Sequence, residues 1–281
     1  MKQVGYYNGE IGKLEELKCS VLDRAVYFGD GCYDATYVIN GKIAFLEDHL
    51  DRFYNSVRLL RIEFPYSREE LTDILYSVVK EFDGEIGFIY WQTSRGTGLR
   101  EHAFPENPKP NLMIMVLETE LTQLDKVFTT ISVEDTRFLH CNIKTLNLIP
   151  NVLAIQKAHE AGCDEVIFHR NGIVTEMGHS NVSIIKDGAL IVHPFDNKIL
   201  PGIAIKHLLR IAKENGIPAY EKEFSLVELM TADEVIISSS GTLCNRIISV
   251  DKIPVGGKAP ELLEKLQQLA WQELMEYSGL A

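Results

Sequence analysis

Paired cysteines, metal-binding histidine spacings, a basic excess and long apolar runs are all missing from this sequence. The five cysteines, Cys19, Cys32, Cys141, Cys163 and Cys244, are an odd number with no CxxC pair. That argues against a disulfide framework or a zinc site and for a reducing compartment. The eight histidines are scattered, with no HxxxH or HExxH, and no metal is expected. Against 40 acidic residues stand only 28 Lys and Arg, a net charge of −12. Nucleic acid is therefore not an expected partner, and any cation that meets an anion must be placed locally. No apolar run is long enough to span a bilayer, and MKQVGYYNGE has no signal-peptide core. A cytoplasmic protein with no membrane partner is expected.

What is present is enough apolar material, 46% of 281 residues, for one large core or two modest ones. VGYYNGE and CYDATYVINGKIAF read as strands turning at Asn-Gly pairs, a strong hairpin signal. Between them, DRAVYFGDGCYD puts Gly29 and Gly31 around Asp30, which by spacing is a tight turn. Helical periodicity then places Leu46, Leu50, Phe53, Val57 and Leu60 on one face. Arg52 lies off that stripe and by itself reads as a solvated helix arginine. Ser67 and Glu70 have capping-box spacing at the start of a second helix, and IGFIYWQTSR and NLMIMVLE follow as strands.

The polar stretch ETELTQLD reads as a linker, with the division near residues 118–124. The expected architecture is α+β in two domains: a smaller N-terminal one (residues 1–118) and a larger, strand-rich C-terminal one with helices (residues 119–281). Within the second, KVFTTISVED is a strand, Asn147 caps a helix ending at Gly162, and two hairpins turn at Asn171-Gly172 and Asp187-Gly188. A helix beginning at Gly202, a strand–loop–strand around SSSGT and an amphipathic helix complete the chain.

One lysine stands out. Lone lysines are usually solvated, but Lys144 is flanked by CNI and TLNLI, which resemble buried loop-to-helix structure. A desolvated amine there suits Schiff-base chemistry. Pro201-Gly202-Ile203-Ala204 at a helix start and Ser238-Ser239-Ser240-Gly241-Thr242 after an apolar strand are each weak phosphate-loop signals. Together with Lys144 they suggest a phosphorylated aldehyde cofactor, pyridoxal 5′-phosphate. The remaining requirement is a carboxylate at the pyridine nitrogen. Glu176, at a strand end, is the candidate, although spacing alone also fits a turn acid.

The segments DRAVYFGDGCYD, EDHLDR, SRGTGLREHAFPEN, EDTRFLHCNIKTLNL, AHEAGCDEVIFHRNGIVTE and ILPGI occur here in that order. In this the sequence resembles the fold-type IV pyridoxal-phosphate enzymes, and within them the bacterial D-amino-acid aminotransferases, over nearly its whole length. The resemblance implies that Lys144 bonds the cofactor and carries the proton, and that Glu176 holds the pyridine nitrogen. It implies phosphate binding by Arg52, the backbone of Ile203 and Ala204 and the hydroxyls of Ser239 and Ser240, with Leu200 against the ring. Arg137 and Glu165 would support the pocket. Tyr33, Arg100 and His102 would trap the substrate carboxylate, with the Arg-x-His loop coming from the partner of a homodimer whose active site lies at the subunit interface.

Some positions depart from the family pattern. Ala204 replaces a threonine, Met177-Gly178-His179 a run of small residues, Tyr37 a lysine and Asp34 a glutamate. The implied reaction moves the amino group of a D-amino acid, such as D-alanine, to a 2-oxo acid such as 2-oxoglutarate. The same scaffold serves branched-chain L-amino-acid aminotransferases, amine transaminases and aminodeoxychorismate lyases, and Arg100 with His102 favours the D-amino-acid branch. A cofactor-free binding protein with a decayed site is the third reading, and the presence of Lys144 and Glu176 argues against it.

Overall fold

The computed structural model describes residues Met1–Gly279 and divides the chain into two compact units. Unit 1 comprises Met1–Leu121 and Ile143–Asn147; unit 2 comprises Thr122–Asn142 and the chain from Leu148 onward. The α+β class expected from the sequence is found in both.

Unit 1 contains β1 (Gln3–Tyr7), β2 (Glu10–Gly12), α1 (Arg24–Phe28), β3 (Gly31–Ile39), β4 (Lys42–Ile43), α2 (Leu46–Leu59), α3 (Arg68–Lys80), β5 (Ile86–Ser94) and β6 (Asn111–Glu118). Its sheet has six strands in the order β2-β1-β6-β5-β3-β4, all antiparallel. The Asn8-Gly9 and Asn40-Gly41 turns have positive φ at both residues, as type I′ hairpins require.

Strand alternation fixes which side chains face the core. Cys32, Val38, Ile89, Trp91, Ile114 and Val116 lie on one side of the sheet, under Leu50, Phe53 and Val57 of α2 and Leu71, Leu75 and Val78 of α3. α3 opens with the expected Ser67–Glu70 capping box. The opposite phase of β3 and β5 carries Tyr33, Tyr90 and Gln92, all half-buried.

Unit 2 contains β7 (Val127–Glu134), α4 (Ile149–Glu160), β8 (Glu165–Arg170), β9 (Ile173–Met177), β10 (Asn181–Lys186), β11 (Ala189–Val192), α5 (Ile203–Glu214), β12 (Ala219–Glu221), α6 (Leu226–Met230), β13 (Glu234–Ser238), β14 (Asn245–Val250), β15 (Ile253–Pro254) and α7 (Pro260–Ser278). They build a nine-stranded mixed sheet, β12-β11-β10-β13-β14-β7-β8-β9, with β15 beside β14. Leu208 and Leu209 of α5 and Leu263 and Leu266 of α7 share one apolar core with Ile185, and Ile167, Val174, Ile184 and Ile247 belong to another. No helix among the described residues is long and apolar enough to cross a membrane.

Two local expectations change. Asn147 does not cap α4, whose N-cap is Leu148 with no side-chain hydrogen bond. The Asn147 amide instead donates to the Gly29 carbonyl at 2.9 Å and to Thr145 Oγ1 at 2.8 Å, so the turn that follows α1 outcompetes the helix start. The Lys144 segment, expected with the C-terminal domain, groups with unit 1. Its backbone is bound there: Tyr33 N–H donates to the Lys144 carbonyl at 2.9 Å, and Leu146 N–H to Gly31 O at 3.2 Å.

Candidate active site

In unit 1, Lys144 lies beside β3 and α2. Besides the bond from Tyr33, its own N–H donates to Ser56 Oγ at 3.3 Å. The side chain is half-buried rather than buried, with Nζ 4.3 Å from the centre of the Tyr33 ring. Tyr33 in turn stacks on Tyr90 at 5.2 Å. The amine therefore stands over an aromatic face, which attracts it in its ammonium form.

Arg52 is not on a solvated face; only 7% of it is exposed. Its Nε donates to Asp34 Oδ2 at 2.9 Å and its Nη2 to Asp34 Oδ1 at 2.7 Å. His49 Nδ1 meets the same Asp34 Oδ1 at 2.7 Å. Burial works to raise the Asp34 carboxyl, but Arg52 and His49 outweigh it and hold Asp34 well below the usual carboxylate range. Burial pushes His49 down despite Asp34, keeping the imidazole neutral near pH 7.

Arg100 and His102 lie exposed on the connection between β5 and β6. The Arg100 guanidinium carbon is 5.2 Å from the centre of the Phe28 ring, and the His102 ring is 5.1 Å from it. The structure thus brings this pair together on one aromatic platform. A cavity of about 280 Å³ opens beside it, with His102, Phe28, Asp30 and Asn147 in its lining.

In unit 2, Glu176 at the end of β9 is 5% exposed and fully engaged. Its carboxylate accepts from the Arg137 guanidinium, from Leu200 N–H at 3.0 Å and from Asn181 Nδ2 at 3.2 Å. Burial pushes this carboxyl up, and Arg137 and the Leu200 N–H pull it back. Arg137 is itself bound by Asp135 through Nε at 2.9 Å and Nη2 at 2.8 Å. Asp135 also accepts from Arg170 at 3.0 Å and Thr175 at 3.0 Å. Glu165, 1% exposed, accepts from Val166 N–H at 2.8 Å and Gly178 N–H at 3.2 Å and pairs with His179 Nδ1 at 2.9 Å.

α5 starts at Gly202 with no side-chain cap and no acid in its first turn, so the N–H groups around Ile203 and Ala204 form a ready anion site. Gly202 is there because of a close approach: an added Cβ would stand 2.0 Å from Asn181 Oδ1. Ser239 Oγ accepts from the N–H groups of Gly241 and Thr242, each at 3.1 Å, and so folds its loop tightly. The neighbouring Ser238 hydroxyl and that of Ser180 are buried with no protein partner. An uncapped helix start, two orphaned buried hydroxyls and a desolvated carboxylate fit a group that is anionic at one end and basic at the other.

The profile of the family described as Amino-transferase class IV matches residues 31–250. The chain belongs to that family. It is an aminotransferase, and the match spans the Lys144 and Glu176 clusters alike. Over 278 residues it is 37% identical to the D-alanine aminotransferase of Listeria monocytogenes serotype 1/2a (strain 10403S), covering 97% of this chain and 96% of that one. It is 38% identical over 267 residues to the D-alanine aminotransferase of Staphylococcus epidermidis (strain ATCC 12228 / FDA PCI 1200), covering 94% and 95%. Among solved structures, a T.th. branched-chain amino acid aminotransferase complexed with N-(5′-phosphopyridoxyl)-L-glutamate superimposes with a TM-score of 0.87. That enzyme is 25% identical, with 99% of this chain and 95% of that one covered.

Sequence reasoning missed the groups that hold these residues. Asp135 is one, although an acid two residues before an arginine is a recognisable short-range pair. Asn181 and His49 are others, and neither carries a local signal, because each acts through a partner brought in by the fold.

Proposed function

We propose that this aminotransferase moves the amino group of a D-amino acid, D-alanine being the first candidate, to a 2-oxo acid such as 2-oxoglutarate, with pyridoxal 5′-phosphate as its cofactor. The observation that carries the D-amino-acid reading is the Arg100–His102 pair, fixed on Phe28 and exposed. The names of the relatives at 37% and 38% identity support it.

Bound pyridoxal phosphate supplies an electron sink for the bonds around the amino acid's Cα. Lys144 would hold it through Nζ and, once displaced by the substrate amine, would be the group that takes up and returns the proton at the amino acid's Cα. Glu176, kept in place by Arg137, Leu200 and Asn181, would be the carboxylate that holds the ring nitrogen. Arg52, the N–H groups of Ile203 and Ala204, and the hydroxyls of Ser239 and Ser240 would hold the phosphate, and Leu200 would pack against the ring. Tyr33, Arg100 and His102 bind the substrate carboxylate, since a guanidinium fork and a phenol suit it. With Ala204 in place of a threonine, that residue offers the phosphate only its N–H. A 2-oxo acid would take up the amino group in a second half-reaction, with Lys144 again moving the proton at Cα, so ping-pong kinetics are expected.

The working unit in this reading is a cytoplasmic homodimer in which the Arg-x-His loop serves the partner's site. The exposed Ile149, Val152 and Leu153 of α4 support an assembly. The branched-chain L-amino-acid reading rests on the fold shared with the T.th. enzyme. A panel of D- and L-amino acids with 2-oxoglutarate decides between them: D-alanine turnover is expected, and activity on L-leucine alone overturns the D-specific reading. Lys144→Ala should lose roughly 10²–10⁴-fold in rate and should no longer be labelled when borohydride reduces the yellow holoenzyme. Wild-type turnover by that variant overturns the role of Lys144.

A further inference from the structure

The connection from β5 to β6 has exposed polar tips, yet its backbone is fastened along its length. Arg24 of α1 is buried, 3% exposed. Its Nε donates to Asp30 Oδ2 at 2.7 Å, and its Nη1 donates at 2.7 Å to the carbonyl of Glu101, the residue between Arg100 and His102. One turn along α1, the Phe28 ring meets Arg24 at 4.8 Å on top of its contacts with Arg100 and His102. Asp30 also takes Arg95 at the loop's start, with Nε at 2.9 Å and Nη2 at 3.0 Å. Arg95 stacks on Phe104 further along, 3.6 Å from its ring centre. Arg24 N–H donates to Gly96 O at 3.0 Å, and Gly96 sits at φ +105°. There a Cβ would be 2.1 Å from Lys109 O, so only glycine permits that approach.

We propose that Arg24 and Phe28 are positioning residues for substrate recognition: α1, locked by Asp30, clamps the Glu101 peptide and the two flanking side chains so that Arg100 and His102 present one fixed carboxylate-binding geometry. This rests on the reading of Arg100 and His102 as the carboxylate trap. A guanidinium recognises a carboxylate through two parallel bonds in one plane, so its orientation matters as much as its charge. Neither Arg100 nor His102 belongs to a helix or strand that would fix it. The clamp supplies that order before substrate arrives, so the cost of fixing the loop is not charged to binding. A lysine at position 24 could pair with Asp30 but has no planar fork to reach the Glu101 carbonyl as well.

The test uses the holoenzymes of Arg24→Lys, Phe28→Leu and Phe28→Tyr, with Arg100→Ala as control. For Arg24→Lys and Phe28→Leu, KM for D-alanine should rise roughly 10- to 100-fold with kcat little changed. Their half-reaction with a primary amine lacking a carboxylate should be unaltered, and trypsin should cut after Arg100 faster than in wild type. Phe28→Tyr keeps the ring and should restore wild-type values. Phe28→Leu carries no charge change, which keeps the proposal falsifiable if Arg24→Lys folds poorly. An unchanged KM in Arg100→Ala overturns the carboxylate reading and this inference with it. A raised KM there, with Arg24→Lys and Phe28→Leu unchanged or equally impaired on the carboxylate-free amine, overturns this inference alone.

Discussion

Arg52 and Asp34 face each other edge-on within unit 1, with Nε to Oδ2 at 2.9 Å and Nη2 to Oδ1 at 2.7 Å, and both are buried. A buried pair like this contributes little net stability when intact, but breaking it leaves an uncompensated charge out of water. Asp34→Asn should therefore destabilise the fold by about 3–5 kcal/mol, read from urea unfolding of the cofactor-free protein. A loss under about 1 kcal/mol, the range of exposed pairs, would show that Arg52 finds another counter-charge. Cofactor affinity should fall in the same variant, because the guanidinium loses the partner that orients it.

The same cluster sets a pH dependence. Asp34 is held below its ordinary range, as are Asp30 by Arg95 and Arg24, and Asp135 by Arg137 and Arg170, each against its own burial. A depressed carboxyl stabilises above its unfolded value, about 3.9, and that stability is lost as pH falls through the folded value. His49 is also depressed, so below about 6.5 the unfolded chain gains a proton that the folded one refuses, and stability falls there too. Glu176 is raised and opposes these groups: its stabilising share is present below its unfolded value and lost as pH rises through its folded one. Unfolding free energy should decline in two stages on acidification, one beginning near about pH 6.5 and a steeper one below about pH 4. His49→Gln should remove the first stage only, and a variant that keeps both stages would take His49 out of the account.

Hairpins, caps and helix stripes were legible in the sequence because their signals are local. Asn-Gly turns, the Ser67–Glu70 box and the Leu50–Phe53–Val57 stripe all depend on neighbours within a few residues. Arg52 shows the limit of such reasoning. Off the apolar stripe it looks solvated, and only the register of β3 against α2 puts Asp34 beneath it. Asn147 has a capping residue's chemistry, but Gly29 O, reached through tertiary structure, takes its amide. Lys144, Glu176 and the two loops were singled out from their own flanks, and Arg52, Tyr33, Arg100 and His102 only through the resemblance. Of the supports, Asp135 stands two residues before Arg137 and was legible, whereas His49 meets Asp34 and Arg24 meets the Glu101 carbonyl only through the fold.

Gly202 offers a test of the α5 anion site that leaves every candidate side chain intact. A Cβ at this position would meet Asn181 Oδ1 at 2.0 Å. Asn181 cannot simply swing away, because its Nδ2 donates to the Leu200 carbonyl at 3.0 Å as well as to Glu176. Gly202→Ala should cost roughly 1–3 kcal/mol in overpacking and should weaken retention of pyridoxal phosphate, measured by dialysis and absorbance. Gly216→Ala, just past the other end of α5 at φ +71° and with nothing within 4 Å, is strained without touching the helix start. It controls for a general loss of stability. Equal cofactor retention in both variants would argue that the start of α5 does not hold the phosphate.

α4 buries Ala154 and Ala158 against the sheet, while Ile149, Val152 and Leu153 on its other side are 69%, 60% and 59% exposed. Three large apolar residues at i, i+3 and i+4 spacing form one patch, and covering each is worth about 1.5–3 kcal/mol. In the dimer reading a second copy of this chain covers them. Val152→Lys sets an ammonium in the middle of that patch and leaves the buried side of the helix alone. Sedimentation should show the wild type as a dimer and the variant dissociating at concentrations at least about tenfold higher, one decade for each 1.4 kcal/mol lost. D-alanine turnover should fall with the dimer fraction, because the Arg100–His102 loop then has no partner site to serve. A variant that stays dimeric with full activity would move the interface away from α4, and a monomeric, active wild type would remove the shared site altogether.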